Sequence, residues 1–226
     1  MKKIILIGSL VLNVLLMALC IYMMSKPKKR AKDMQMVHYF SLQHRIPVKE
    51  GDILFWGGER FSLCNWMELI GDQRIRNRAL SGNTIKVALL KLNEIQQSKP
   101  SKLVLQFGLE DLSSASDANQ IILDYGAFVD SVRKISPQTE IIIQSLQPID
   151  DVYSKVFLPK LTNLKVFDMN QLIRKMAKER SLTYVNLYDD LLDPKTGSLK
   201  SQYSLDGYHL NNSAYIIWKD RIVSFF

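Results

Sequence analysis

Residues 52–59 read Asp-Ile-Leu-Phe-Trp-Gly-Gly-Glu, a short apolar run that stops at two glycines and an acid. A strand with apolar side chains on both faces belongs in a sheet covered on both sides. The glycine pair marks a tight turn at its carboxyl end. The pattern recurs at 102–107 (KLVLQF), 140–146 (EIIIQSL) and 182–187 (LTYVNL), with a shorter strand at 75–77. Between these runs lie helical periods: Ile85, Leu89, Leu92 and Ile95; Ile121, Tyr125, Phe128, Val129 and Val132; Leu172, Ile173 and Met176; and residues 214–223. The alternation predicts an α/β, doubly wound, mostly parallel five-stranded sheet between helices, flavodoxin-like, with its site at the carboxyl ends of the strands. The three Trp and the Met residues read as core or rim, and no internal repeat is present.

Composition narrows the function. The 226 residues carry a net charge of +8. Lys2, Lys3, Lys26, Lys28, Lys29, Arg30 and Lys32 stand in the first 32 residues with no acid among them, and without them the rest is close to neutral. A nucleic-acid partner would need a basic face on the domain itself, so none is expected. Cys20 and Cys64 are too far apart in kind, one in an apolar segment and one in the body, to suggest a disulfide framework.

Residues 4–24 form an apolar stretch broken mildly by Gly8, Ser9 and Asn13. As a helix it would be about 31 Å long, enough to cross a bilayer. Cleavage sites for a secretory signal or a lipoprotein signal at Cys20 are poorly formed, which favours an uncleaved single-pass anchor over residues 1–25. Residues 26–50 then form a basic tether and entry segment, and 51–226 the globular domain. The positive-inside rule, counted on residues 26–32, would keep the body in the cytoplasm.

Four short segments sit where chemistry is expected. Gly57-Gly58-Glu59 follows the first strand, Ser81-Gly82-Asn83 the second, and Gly108-Leu109-Glu110-Asp111 the third, while Asp206-Gly207-Tyr208-His209 leads into the last helix. Cys64 with Trp66, Asn77-Arg78, Gln144-Ser145, Pro148, Asn211, Tyr215 and Trp218 add supporting matches. In spacing and order the chain resembles the SGNH (GDSL) hydrolases, closest to the bacterial branch of carbohydrate O-acetylesterases and platelet-activating-factor acetylhydrolase-like proteins. The resemblance implies an extracytoplasmic body and acylated carbohydrate as the substrate class of relatives. It also implies that Asp206 and His209 keep the orienting acid and the base of a triad, and that the Gly82 amide is one oxyanion donor.

Two of the family's four signature residues are replaced. The resemblance puts the nucleophilic serine at Glu59, its preceding aspartate at Gly58, and the oxyanion asparagine at Glu110. A Ser-His-Asp device needs a hydroxyl whose proton the histidine can take. Loss of one oxyanion donor typically costs about 10²–10³ in rate. A carboxylate about 4 Å from the developing charge adds roughly 4 kcal/mol of repulsion at an effective dielectric near 20, or about three more factors of ten. Ordinary serine esterase chemistry is therefore not expected.

Other readings stay open at this point. Ser81 could serve as a displaced nucleophile, with Ser62 and Cys64 carried away by the helix after the turn. Glu59 and Glu110 could form a glycosidase-like carboxylate pair, or bind a divalent cation with Asp206 and His209, although no metal-ligand spacing supports one. The plainest reading is a non-catalytic cleft with Glu59 paired to His209 or Arg60. His38 and His44 read as solvent-facing or structural, and Gly197 and Asn211–Asn212 as turn and helix-start residues. The sequence thus leads to a membrane-anchored, catalytically degenerate SGNH-type protein without a cofactor, binding acylated glycan or a protein partner. An active ester hydrolase is the alternative.

Overall fold

The computed structural model describes residues 13–17, 46–114 and 117–226. Residues 13–17 are helical; the rest of the expected anchor over residues 4–24, most of the tether, and His38 and His44 lie outside the described residues. Among the described residues no helix is long and apolar enough to cross a membrane. Pro47–Phe226 forms one unit of its own.

Its centre is a five-stranded, all-parallel sheet. Strand β1 (Ile53–Gly57) lies between β2 (Ile75–Asn77) and β3 (Lys102–Gln106), followed by β4 (Glu140–Gln144) and β5 (Thr183–Val185), giving the order β2-β1-β3-β4-β5. All five expected strands are present. Strand β5 is shorter than residues 182–187, as befits an edge with one neighbour. Because side chains alternate along a strand, Ile53 and Phe55 face one way and Leu54 and Trp56 the other. Each set enters its own core. Leu54, Trp56, Leu103 and Ile141 pack with Tyr125, Phe128 and Ile173, whereas Ile53, Phe55, Val104 and Ile142 pack with Phe61, Trp66, Trp218 and Ile222.

Short helices follow each strand at its carboxyl end: α1 (Glu59–Ser62) and α2 (Trp66–Ile70) after β1, then α3 (Ile85–Leu89) and α4 (Leu92–Ser98) after β2. The period of Ile85, Leu89, Leu92 and Ile95 suggests a single helix, but the chain breaks at Leu90 and Lys91. There, i→i+3 bonds from Leu90 N–H to Val87 and from Lys91 N–H to Ala88 tighten the turn. Ile85, Ala88 and Ile95 still reach the same core, so the apolar spacing survives the break. Strand β3 leads into α5 (Leu109–Ser113) and the long α6 (Ala118–Ile135). Strand β4 is followed by α7 (Asp151–Phe157) and α8 (Asn163–Glu179), and β5 by α9 (Tyr188–Leu191). The closing helix α10 (Asn212–Ile222) starts where Asn211 accepts the Ala214 N–H.

The two central features of the second core are aromatic stacking and one polar tie. Trp218 stacks on Phe61 at 5.2 Å and meets Trp66 edge-on at 5.0 Å. Its indole N–H donates to the Gln144 side-chain oxygen at the end of β4. Truncating Trp218 to alanine removes a fully buried ring and strands the Gln144 amide. The expected cost is about 3–5 kcal/mol, read as a shift in the urea unfolding curve.

Candidate functional site

In the order β2-β1-β3-β4-β5 the chain reverses direction across the sheet between β1 and β3, the place where such folds open a crevice. The register pairs Gly57 with Gln106, so the turns after these two strands are neighbours. This places Glu59 and Glu110 side by side, each in the first turn of a short helix. The Glu59 N–H donates to Glu110 Oε1 at 2.5 Å. Backbone N–H groups of a first turn have no partner within their helix and draw negative charge. Here a side-chain carboxylate of the same protein takes that place.

Gly58 makes the arrangement possible. A Cβ at this position would stand 2.1 Å from both carboxylate oxygens of Glu110. The replacement of aspartate by glycine and of asparagine by glutamate are thus one spatial event. The void lined by Gly58, Arg60, Gln106, Glu110 and Leu146 has no room for a water molecule. Burial pushes the Glu110 carboxyl up to about 7; the Glu59 amide opposes the shift and the Glu59 carboxylate adds to it.

The partner of Glu59 differs from both expected ones. Its Oε1 accepts a hydrogen bond from Ser81 Oγ at 3.0 Å, and no ion pair joins it to His209 or Arg60 among the described residues. Arg60 instead turns inward, fully buried. Its Nη1 donates to the Pro148 carbonyl at 2.9 Å, and its guanidinium lies 4.6 Å from the Tyr208 ring centre. Among the described residues Nε and Nη2 have no hydrogen-bond partner. Desolvation lowers the Arg60 pKa, while the nearby Glu110 and Glu59 carboxylates work against it. Arg60 is the residue the sequence reading undervalued, since nothing in a Gly-Gly-Glu-Arg string says which way the side chain points.

On the opposite wall, His209 Nδ1 and Asp206 Oδ2 lie 2.6 Å apart. Asp206 Oδ1 also accepts the backbone N–H groups of Tyr208 and His209. Burial alone would raise the Asp206 carboxyl, but these hydrogen bonds hold it below its ordinary value. With Nδ1 engaged, Nε2 is the ring nitrogen left for a ligand. Gly82 sits exposed at φ +74°, in the turn that also carries Ser81.

The remaining nucleophile candidates separate cleanly. Ser62 is buried and donates to the Glu59 carbonyl, and burial pushes the Cys64 thiol up to about 12, so both are inert. His209 also lines a cavity of about 930 Å³, together with Leu63, Leu69, Leu205 and Ile216 and the polar Asn65, Glu68 and Asn212.

A carboxyl raised from 4.5 to about 7 binds its proton more tightly in the folded state. Stability from this source is full below the unfolded value, falls as pH rises towards 7, and is level above. The expected loss between pH 5 and pH 8 is on the order of 2–3 kcal/mol. Asp111, pushed up to about 6 by burial, contributes a slope of the same sign. Urea unfolding of Glu110→Gln should therefore show a shallower pH dependence than the unaltered chain, with the variant the more stable of the two at pH 8.

Comparison with known proteins agrees with this layout. The model of the GDSL-like lipase/acylhydrolase family matches residues 51–216. A Streptococcus pneumonia protein provisionally described as a platelet activating factor is 25% identical, with a TM-score of 0.73 over 92% of this chain and 98% of its own. The lipase/acylhydrolase from Enterococcus faecalis is 16% identical, with a TM-score of 0.63 over 78% and 94%. The periplasmic domain of a lipopolysaccharide acetyltransferase from Salmonella ser. Paratyphi A is 15% identical, with a TM-score of 0.58 over 79% and 85%. No curated protein matches the chain. The four motif segments, the sheet order and the family match converge: the chain belongs to the GDSL-like lipase/acylhydrolase family, the SGNH hydrolases.

Proposed function

We propose that this protein is a membrane-anchored member of the family that has given up serine ester hydrolysis and uses its cleft to bind an acylated carbohydrate of the cell envelope. The observation that carries the proposal is the Glu110 carboxylate on the Glu59 amide. A carbonyl oxygen becoming an oxyanion needs a donor of this kind. The donor is already taken by a carboxyl oxygen of Glu110, and the residue at the attacking position has no hydroxyl. The ligand class draws on two further facts. The cavity lined by His209 offers apolar side chains to an acyl group and amide and carboxyl groups to sugar hydroxyls. The similar lipopolysaccharide acetyltransferase domain is by its description a protein of glycan acylation. In this reading residues 4–24 are the anchor and the body lies outside the cytoplasm, as the family resemblance implies.

A second reading has one observation in its favour. Ser81 Oγ donates to Glu59 Oε1, so Glu59 could act as base towards a displaced nucleophile. The two readings differ in covalent chemistry. The unaltered chain should neither react with a fluorophosphonate probe nor turn over p-nitrophenyl acetate; labelling that disappears in Ser81→Ala would establish the second reading instead. Restoring the site should need three changes together: Gly58→Asp, Glu59→Ser and Glu110→Asn. The first needs the Glu110 carboxyl to leave its present place, which Glu110→Asn provides. This triple variant should gain probe labelling, and Glu59→Ser alone should not.

Ligand binding is tested separately by calorimetry with an O-acetylated polysaccharide and its deacetylated form. Binding should require the acetyl groups and weaken on His209→Ala. Equal binding of both forms, or none, would remove the acylated-glycan assignment.

A further inference from the structure

The run from Val152 to Phe167 covers α7, the link after it and the first turn of α8, and it presents an unusual surface. Val152 is 73% exposed, Val156 66%, Phe157 65%, Leu164 69% and Phe167 45%. These are large apolar side chains turned to solvent within 16 consecutive residues, whereas isolated exposed apolar residues are ordinary. Lys155, Lys160 and Lys165 stand exposed among them. The run itself holds no acid, and the two acids just before it are half-buried and engaged. Asp150 caps α7 by accepting the Tyr153 N–H, and Asp151 accepts from the Asn163 side chain. Asp168 is the one acid left exposed beside the three lysines. The Lys165 ammonium bonds to the Lys160 carbonyl, which ties the start of α8 to the link.

We infer that this face docks on a lipid bilayer bearing anionic headgroups. Bulky apolar side chains interspersed with lysines are what an interfacial segment needs, the former entering the acyl boundary and the latter meeting the phosphates. A protein partner of ordinary kind would select against lysine at such a patch. The position gives the contact a consequence. Tyr153 of α7 stacks on Tyr208 at 5.7 Å, and the Asp150 N–H donates to the Gly207 carbonyl, so α7 is joined to the loop that carries Asp206 and His209. Leu205 of that loop is also 73% exposed. Docking through α7 would hold the mouth of the cleft at the membrane surface. The inference stands on the body alone and does not depend on the ligand assigned to the cleft.

The test uses the full chain carrying Phe157→Trp. Trp56, Trp66 and Trp218 are fully buried and give a constant background. With vesicles of phosphatidylcholine and phosphatidylglycerol whose acyl chains are brominated, the added emission should be quenched. Quenching should be weaker with phosphatidylcholine alone. Reversing the lysines (Lys155→Glu, Lys160→Glu, Lys165→Glu) should weaken it at least roughly tenfold, as expected for three surface charges. No quenching in the anionic vesicles overturns the inference, as does quenching indifferent to the lysine reversal. An emission shift that appears without vesicles and grows with protein concentration would assign the face to a second copy of the chain, and would equally overturn it.

Discussion

A carboxylate resting on the first amide of a helix, in the gap left by a missing side chain, organises this site. Glu110 reaches the Glu59 N–H only because β1 and β3 are neighbours and because Gly58 has no Cβ. Backbone amides at the switch point of a doubly wound sheet face outward from short helices and favour negative charge. In catalysis that charge appears briefly on the substrate. In this chain a carboxyl oxygen of Glu110 already rests on the Glu59 amide, beside a void that does not admit water.

Placing two acids together is unfavourable, and the surrounding residues show how the fold tolerates it. Arg60 brings a positive charge into the interior next to both. It is held by a carbonyl, the face of Tyr208 and the enclosing aromatic residues rather than by a direct ion pair. A guanidinium suits this role because its flat surface can stack while its edge donates; an ammonium would lose the stacking and be more costly to desolvate. Glu110, in turn, shares the burden by holding its proton up to about 7. The Tyr215 hydroxyl donates to the Arg60 carbonyl at 2.6 Å, so α10 and α1 are locked together around the buried cation.

The strands were legible because burial on both faces leaves a continuous apolar run, and the turn after each run ends in residues with few alternatives. The motif segments were legible by order and spacing. Several matches that look functional in the sequence proved to be ties of the scaffold: Asn77 holds the Phe61 and Cys64 carbonyls, Ser145 accepts the N–H groups of Leu187 and Tyr188, and Gln144 anchors Trp218. What could not be read were contacts between distant segments that depend on a rotamer. The sequence offers His209 or Arg60 as the partner of Glu59, and nothing in its spacing points to the Ser81 hydroxyl that holds it. The inward turn of Arg60 is illegible for the same reason, as is the coupling of Gly58 to Glu110 across 52 positions. The helix break at Leu90 escaped because two short helices lying on one core keep the period of a single one.

Asp206 and His209 weigh differently in deciding whether the cleft still meets a ligand. Asp206 accepts two backbone amides of its own loop, so the fold has a use for it with or without a histidine nearby. His209 has no comparable duty. Its ring is about one-third exposed, leans edge-on against Tyr208, and touches the structure through Asp206. An imidazole fixed in orientation by a carboxylate, with its other nitrogen free, is arranged for something outside the protein. The ring also lines the large cavity, on the loop that α7 steadies through Gly207. The cavity it lines therefore combines a polar, oriented nitrogen with the apolar side chains of Leu63, Leu69, Leu205 and Ile216.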